Sequence, residues 1–233
     1  MRSMRTDNST PLSSSNLCNL RILFFFRRWT LDVGLWTRTA RVIKCVSQQM
    51  HQNTLVLTQS ALTVIDMQEA FRTKMPDFAE VAARIATMVT AAKLLNLPIV
   101  VTEQYPKGLG HTAKEILDAL PGSIEIIEKT TFSSCGVTPF QSQLNELGAK
   151  QILVCGIEAH ICVNQTVHDL LANGFQVHLL TDCITSRKAE NKSMAFRRME
   201  LSGAIPSSLE MAVFEMMRDA KHEQFKAIQG LIK

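Results

Sequence analysis

The chain has 233 residues, enough for one large domain or one domain with an appendage, and a formal net charge of +4. That charge is unevenly placed: residues 1–50 hold seven Arg and one Lys against Asp7 and Asp32, a net of +6, which leaves −2 for everything downstream. The alkaline balance therefore gives no reason to expect nucleic-acid binding by the folded part. Six cysteines with no CxxC pair and no secretory signal give none to expect a disulfide framework.

Residues 1–50 read as a basic leader, expected to lack fixed structure, with the folded domain over 51–233. Both tryptophans, Trp29 and Trp36, lie in the leader, as do Ser3, Ser9, Ser13, Ser14 and Ser15. Its apolar run over 22–26 is far below the ~18 residues of a membrane span and short of a secretory core of about 7–15, so no membrane partner is expected. Two readings stay open. The leader is an organellar transit peptide, which implies a mitochondrial location, or an upstream extension with Met50 as the functional start, which implies a cytoplasmic one.

From residue 60 onward strand-like and helix-like segments alternate. A strand over 62–66 precedes a helix over 77–95, opened by the capping box Asp77-Phe78-Ala79-Glu80 and closed by Asn96-Leu97-Pro98. Strands follow over 99–101, 125–128 and 151–156. The helix over 161–173 places Val163, Val167, Leu170 and Leu171 on one face and ends at Gly174. A strand over 177–181, a helix over 187–202 stopped by Gly203, a strand at 204–205 and helices over 209–218 and 222–232 complete the chain. This alternation predicts an α/β fold: a three-layer α-β-α, Rossmann-like arrangement with a mainly parallel six-stranded sheet. The strands are continuous apolar runs, as expected of a sheet buried on both faces. No GxGxxG or GxxxxGK[ST] offers a phosphate cradle, so no nucleotide cofactor is expected.

In a parallel sheet the carboxyl ends of all strands share one edge, where ligands bind. Three polar residues end apolar runs there: Asp66, Lys129 and Cys162. A carboxylate, an ammonium and a thiol supply a base, a thiolate-stabilising cation and a nucleophile. Each has a plainer reading. Asp66 is also placed to cap the next helix, Lys129 to be a surface lysine, and Cys162 to pack as a small apolar residue. At a helix start, free N–H groups favour a Cys162 thiolate. Cys155 and Cys183 read as core thiols, and Glu128 as a solvated neighbour on the opposite strand face. His160, Cys162 and His168 do not make a zinc set, and His111 stands alone, so no metal is expected.

Taken together the motifs resemble the isochorismatase-like cysteine hydrolase superfamily, which includes nicotinamidases and carbamoylsarcosine amidases. The stretches are Asp66-Met67-Gln68-Glu69-Ala70-Phe71, Glu128-Lys129-Thr130-Thr131-Phe132-Ser133, and Gly156-Ile157-Glu158-Ala159-His160-Ile161-Cys162-Val163. Thr102-Glu103-Gln104-Tyr105-Pro106-Lys107-Gly108-Leu109-Gly110, Ser186-Arg187 and His222-Glu223-Gln224-Phe225-Lys226 narrow it to the isochorismatase domain-containing proteins.

The resemblance implies Cys162 as nucleophile, Asp66 as its base and Lys129 as charge partner. It also implies a cis peptide between Ile157 and Glu158, with an oxyanion hole formed by the N–H groups of Glu158 and Cys162. Where nicotinamidases carry Asp-x-His, this chain has Thr102-Glu103-Gln104-Tyr105, which argues against a metal-bound pyridine substrate. The cysteine argues against vinyl-ether hydrolysis. The expected reaction is cleavage of a small amide or related C–N acyl compound through a thioester on Cys162, with Phe71 and Tyr105 lining the pocket. The expected partners are a small-molecule substrate and further copies of the chain. The rival reading is a catalytically weak or inactive interaction protein on the same fold.

Overall fold

The computed structural model describes residues 50–232. The leader predicted over residues 1–50 lies, Met50 apart, outside the described residues.

In chain order the elements are β1 (Ser60–Ile65), α1 (Phe78–Leu95), β2 (Ile99–Gln104), α2 (Pro106–Leu109), α3 (Lys114–Ala119), β3 (Ile126–Lys129), α4 (Thr138–Glu146), β4 (Gln151–Gly156), α5 (Asn164–Ala172), β5 (Gln176–Ile184), α6 (Ala189–Leu201), β6 (Ile205–Ser207), α7 (Leu209–Met217) and α8 (Phe225–Ile232). The six strands form one parallel sheet in the order β3-β2-β1-β4-β5-β6. This is the order of doubly wound dinucleotide-binding folds, reached here without their glycine fingerprint.

Period-two alternation divides the central strands between two cores. Leu62 and Val64 of β1 and Leu153 and Cys155 of β4 face a core built with α1, α3, α7 and α8. Ala61, Ile65, Ile152 and Val154 face the other, built with α4, α5 and α6. Every residue of β1 and β4 is buried. Each fully buried Leu, Ile or Val contributes roughly 1.5–3 kcal/mol, so the two central strands anchor both layers.

The sheet reverses direction at β1, with β2 and β3 to one side and β4 to β6 on the other. Ligand crevices form beyond the carboxyl ends of strands at such a reversal. Here the two strands that flank it end together, with Ile65 and Gly156 paired in register. Gly156 has φ 116°, and a Cβ built there would lie 2.0 Å from the Ile65 carbonyl oxygen. No side chain fits this contact.

The structure departs from the sequence reading in definite ways. Helix α4 was absent from it because only Phe140 and Leu144, four apart, are buried on an otherwise polar segment. Strand β5 runs on to Ile184 rather than ending at 181. Asp77 does sit at the N-cap of α1, but its carboxylate does not cap the helix. It accepts instead from Thr185 Oγ1 at 2.7 Å and lies 3.5 Å from Lys192 Nζ, while Glu80 pairs with Arg84. A tertiary partner has taken Asp77, and an i, i+4 neighbour in the same helix has taken Glu80. No helix among the described residues is long and apolar enough to cross a membrane.

Two outcomes are expected. Gly156→Ala combines a left-handed backbone with a backbone clash and should lower stability by about 3 kcal/mol or more, measured by urea unfolding. Separately, burial pushes His178 on β5 down to about 4. Because the unfolded chain takes up that proton first, stability should be whole above about pH 6.5, fall as pH drops towards 4, and level off below it. At ~1.4 kcal/mol per unit the loss is on the order of 3 kcal/mol. Thermal melts of His178→Gln should lack that slope.

Candidate active site

Asp66 is the first residue past β1, where the chain turns with φ 50°. Its N–H donates to Thr102 O at 3.1 Å, tying it to the end of β2. Lys129 ends β3, opposite Gln104 of β2. Its side chain crosses the end of β2, and Nζ reaches Asp66 Oδ2 at 2.6 Å. The remaining Nζ contacts are Gln104 Oε1 at 2.8 Å, Phe132 O at 3.0 Å and Thr131 O at 3.1 Å. The ammonium therefore has no unmet donor. Asp66 Oδ1 accepts from Thr102 Oγ1 at 2.8 Å.

Both members of this ion pair are buried, Asp66 at 2% exposure and Lys129 at 3%. Those values exclude the surface-lysine reading. The capping reading of Asp66 also falls, since its carboxylate binds side chains of β2 and β3 and caps no helix.

Cys162 lies where β4 hands over to α5, in a wide π-type turn over Ala159–Val163 that precedes the α-helix proper. The Ile157–Glu158 peptide before that turn is cis. The thiol is buried at 7% exposure and pushed up to about 12. Burial is the largest cause. The charge of the Asp66 carboxylate adds to it and Lys129 opposes it, while hydrogen bonding of the thiol to Asp66 and the charge of Glu158 raise it further. This corrects the expected resting thiolate: desolvation and two nearby carboxylates outweigh one cation that already serves Asp66.

Asp66 and Cys162 meet at the wall of a half-open pocket of about 110 Å³, lined in part by the half-exposed Phe132. Phe71, Leu109, Phe132, Ile157 and Ile161 supply its apolar lining, and Gln104 and Glu158 complete it. Lys129 stands behind Asp66, outside the lining. Tyr105, expected in the pocket, is not part of this wall. It is half exposed and borders a neighbouring groove with Lys107 and Thr130. Phe71 does line the cavity.

Sequence reasoning gave no role to Gln68, Thr102 or Gln104. Gln68 Nε2 donates to Gln104 O at 3.0 Å and to Gly110 O at 2.6 Å, and its Oε1 accepts from Gln104 N at 2.8 Å. It thereby stitches the loop after β2 over the site. Thr102 and Gln104 are two apart at a strand end and so face one side together; that spacing was their signal. Glu103, facing the other way, accepts from Thr112 N at 2.6 Å and Oγ1 at 2.8 Å, with His111 Nδ1 at 3.1 Å. Glu158 pairs with Arg187 Nε at 3.0 Å. Among the described residues no group of three His, Cys, Asp or Glu is placed to hold a metal ion.

Residues 60–211 match the family described as the isochorismatase domain. The chain is an isochorismatase-family hydrolase. It is similar to the secreted isochorismatase effector Isc1 of Phytophthora sojae, with 42% identity over 77% of this chain and 87% of that one. It is 38% identical to isochorismatase domain-containing protein 2 of Rattus norvegicus over 75% of this chain and 81% of that protein. Among solved structures, the MAR1 ribonuclease of Caenorhabditis elegans superimposes with a TM-score of 0.74 at 38% identity, covering 77% of this hydrolase and 92% of that chain.

The buried pair generates a prediction about folding. Lys129→Met leaves the Asp66 charge without its partner and should cost about 3–5 kcal/mol. The double variant Lys129→Met with Asp66→Asn removes both charges and should recover much of that loss. Chemical denaturation of the singles and the double measures the coupling.

Proposed function

We propose that this hydrolase cleaves a small amide or related C–N acyl substrate, with Cys162 as nucleophile and Asp66 as its base. The observation that carries the reading is a thiol beside a carboxylate at the wall of one small pocket, with that carboxylate held by Lys129 and Thr102. Because burial keeps the thiol protonated, the S–H proton passes to Asp66 as the S–C bond forms on the substrate carbonyl. The tetrahedral oxygen is held by the N–H groups of Glu158 and Cys162. Asp66 then returns the proton to the leaving nitrogen, the C–N bond breaks, and a thioester remains. Water gives a proton to Asp66 as it attacks the thioester, the S–C bond breaks to release the acid, and Asp66 returns the proton to the Cys162 sulfur. Lys129 holds the Asp66 carboxylate in place throughout.

The cavity sets the scale of the substrate. At about 110 Å³ it is smaller than the ~150 Å³ apolar cavity that accepts benzene, so the part of a substrate seated in it has roughly six heavy atoms or fewer. Two similar proteins carry names that point elsewhere, one to isochorismatase and one to ribonuclease. A ring bearing several polar substituents would not seat whole in this space. A phosphodiester requires cations to meet its charge, and no Lys or Arg lines the cavity.

A panel of short aliphatic amides and ureido compounds tests the reading. Cys162→Ala should abolish turnover and the thioester trapped by hydroxylamine while leaving cooperative unfolding intact. Wild-type turnover in that variant would overturn the nucleophile assignment. Asp66→Asn should lower turnover by about 10²–10⁴-fold. It should also move the pH midpoint of Cys162 alkylation down from near 12, because the carboxylate that raises it is gone. Loss of rate together with a more acidic thiol separates a base from a merely structural carboxylate.

A further inference from the structure

The charges around the cavity are arranged in depth. Asp66 and Glu158 both form part of its wall, whereas neither cation that balances them does. Lys129 lies behind Asp66 with its ammonium shared among four oxygens. Arg187 is half exposed and grips Glu158 from outside, through Nε at 3.0 and 3.1 Å and its backbone N–H at 3.2 Å. Gln104, the one neutral polar side chain on the wall besides the thiol, is also committed. Its Oε1 accepts from Lys129 and its Nε2 donates to Thr130 O. A guest therefore meets carboxylate oxygens with lone pairs to spare and no cationic side chain.

Resting on the amide-hydrolase reading, we infer that Glu158, together with Asp66, acts as a charge filter that admits uncharged substrates bearing N–H donors and rejects those carrying a carboxylate. A primary amide or ureido group satisfies the wall, because its N–H donors meet carboxylate oxygens that keep lone pairs beyond the donors already bound. A carboxylate brings a like charge against two others that are themselves buried, where Coulomb repulsion is screened less than in open water. It finds no ammonium or guanidinium on the wall to offset the loss of its own hydration. Glu158 is the specificity-determining member of the pair, since Asp66 is bound to the chemistry. Arg187 tunes it by neutralising part of its charge.

Alkylation by two reagents of nearly equal size but different charge tests this directly. Iodoacetamide is neutral and iodoacetate is anionic, and each rate at Cys162, located by peptide mapping with Cys162→Ala as control, is divided by its rate on glutathione. The normalised ratio should favour iodoacetamide by at least about tenfold. Glu158→Gln should narrow the ratio. Arg187→Gln, which leaves Glu158 unbalanced, should widen it, and this surface change tests the filter even if the Glu158 variant fails to fold. Iodoacetate reacting as fast as iodoacetamide would overturn the filter and leave the nucleophile reading standing. A ratio that narrows in Arg187→Gln would overturn it too, by making the arginine an anion receptor. If Cys162→Ala retains wild-type turnover, the nucleophile reading falls and the filter with it.

Discussion

The ion pair between Asp66 and Lys129 is the constraint around which the carboxyl edge of the sheet is built. Two opposite charges, both removed from water, are tolerable only when every polar atom has a partner. The chain meets that demand with Thr102, Gln104 and two carbonyls of the loop after β3. Satisfying the pair therefore fixes the ends of β1, β2 and β3 and the start of the next loop at once. Gln68 extends the same constraint by tying the segment after β1 to the end of β2 and to Gly110. The cavity exists because these segments cannot move independently.

That arrangement shapes the chemistry of the thiol. A cation placed directly against sulfur would favour a standing thiolate, whereas here the cation is spent on the carboxylate and the thiol stays protonated. A protonated, buried thiol is a poor target for adventitious oxidants, which attack thiolates. The pair thus links two properties, a rigid carboxylate and a protonated thiol, through one set of hydrogen bonds.

Much of the fold was legible because strands buried on both faces read as short apolar runs, and six of them alternate with helical segments. Helix α4 was not legible: its buried face consists of Phe140 and Leu144 alone, too small a signal against a polar background. The positions of Asp66, Lys129 and Cys162 followed from where apolar runs end and from the motifs around them. Their electrostatics did not follow. Whether Lys129 serves the thiol or the carboxylate depends on the reach of one side chain across β2, and no spacing in the sequence encodes that. Tyr105 was drawn into the pocket by its place after β2. The turn there, with φ 40°, carries its ring to the neighbouring groove instead. Thr102 and Gln104 passed unnoticed because neither residue type suggests chemistry until a charge lies beside it.

Lys129 belongs to β3, which is four residues long and forms one edge of the sheet. Edge strands pair on one side only, and they open at a smaller free-energy cost than the strands at the centre. Cys162 and Asp66, by contrast, follow the two central strands. The carboxylate and the thiol are thus mounted on the two central strands, and the ammonium that holds the carboxylate on an edge strand. Brief fraying of that border would leave a folded protein with an unanchored carboxylate. Amide exchange along β3 therefore gauges how much of the population has the ion pair in place at any instant, separately from how much is folded.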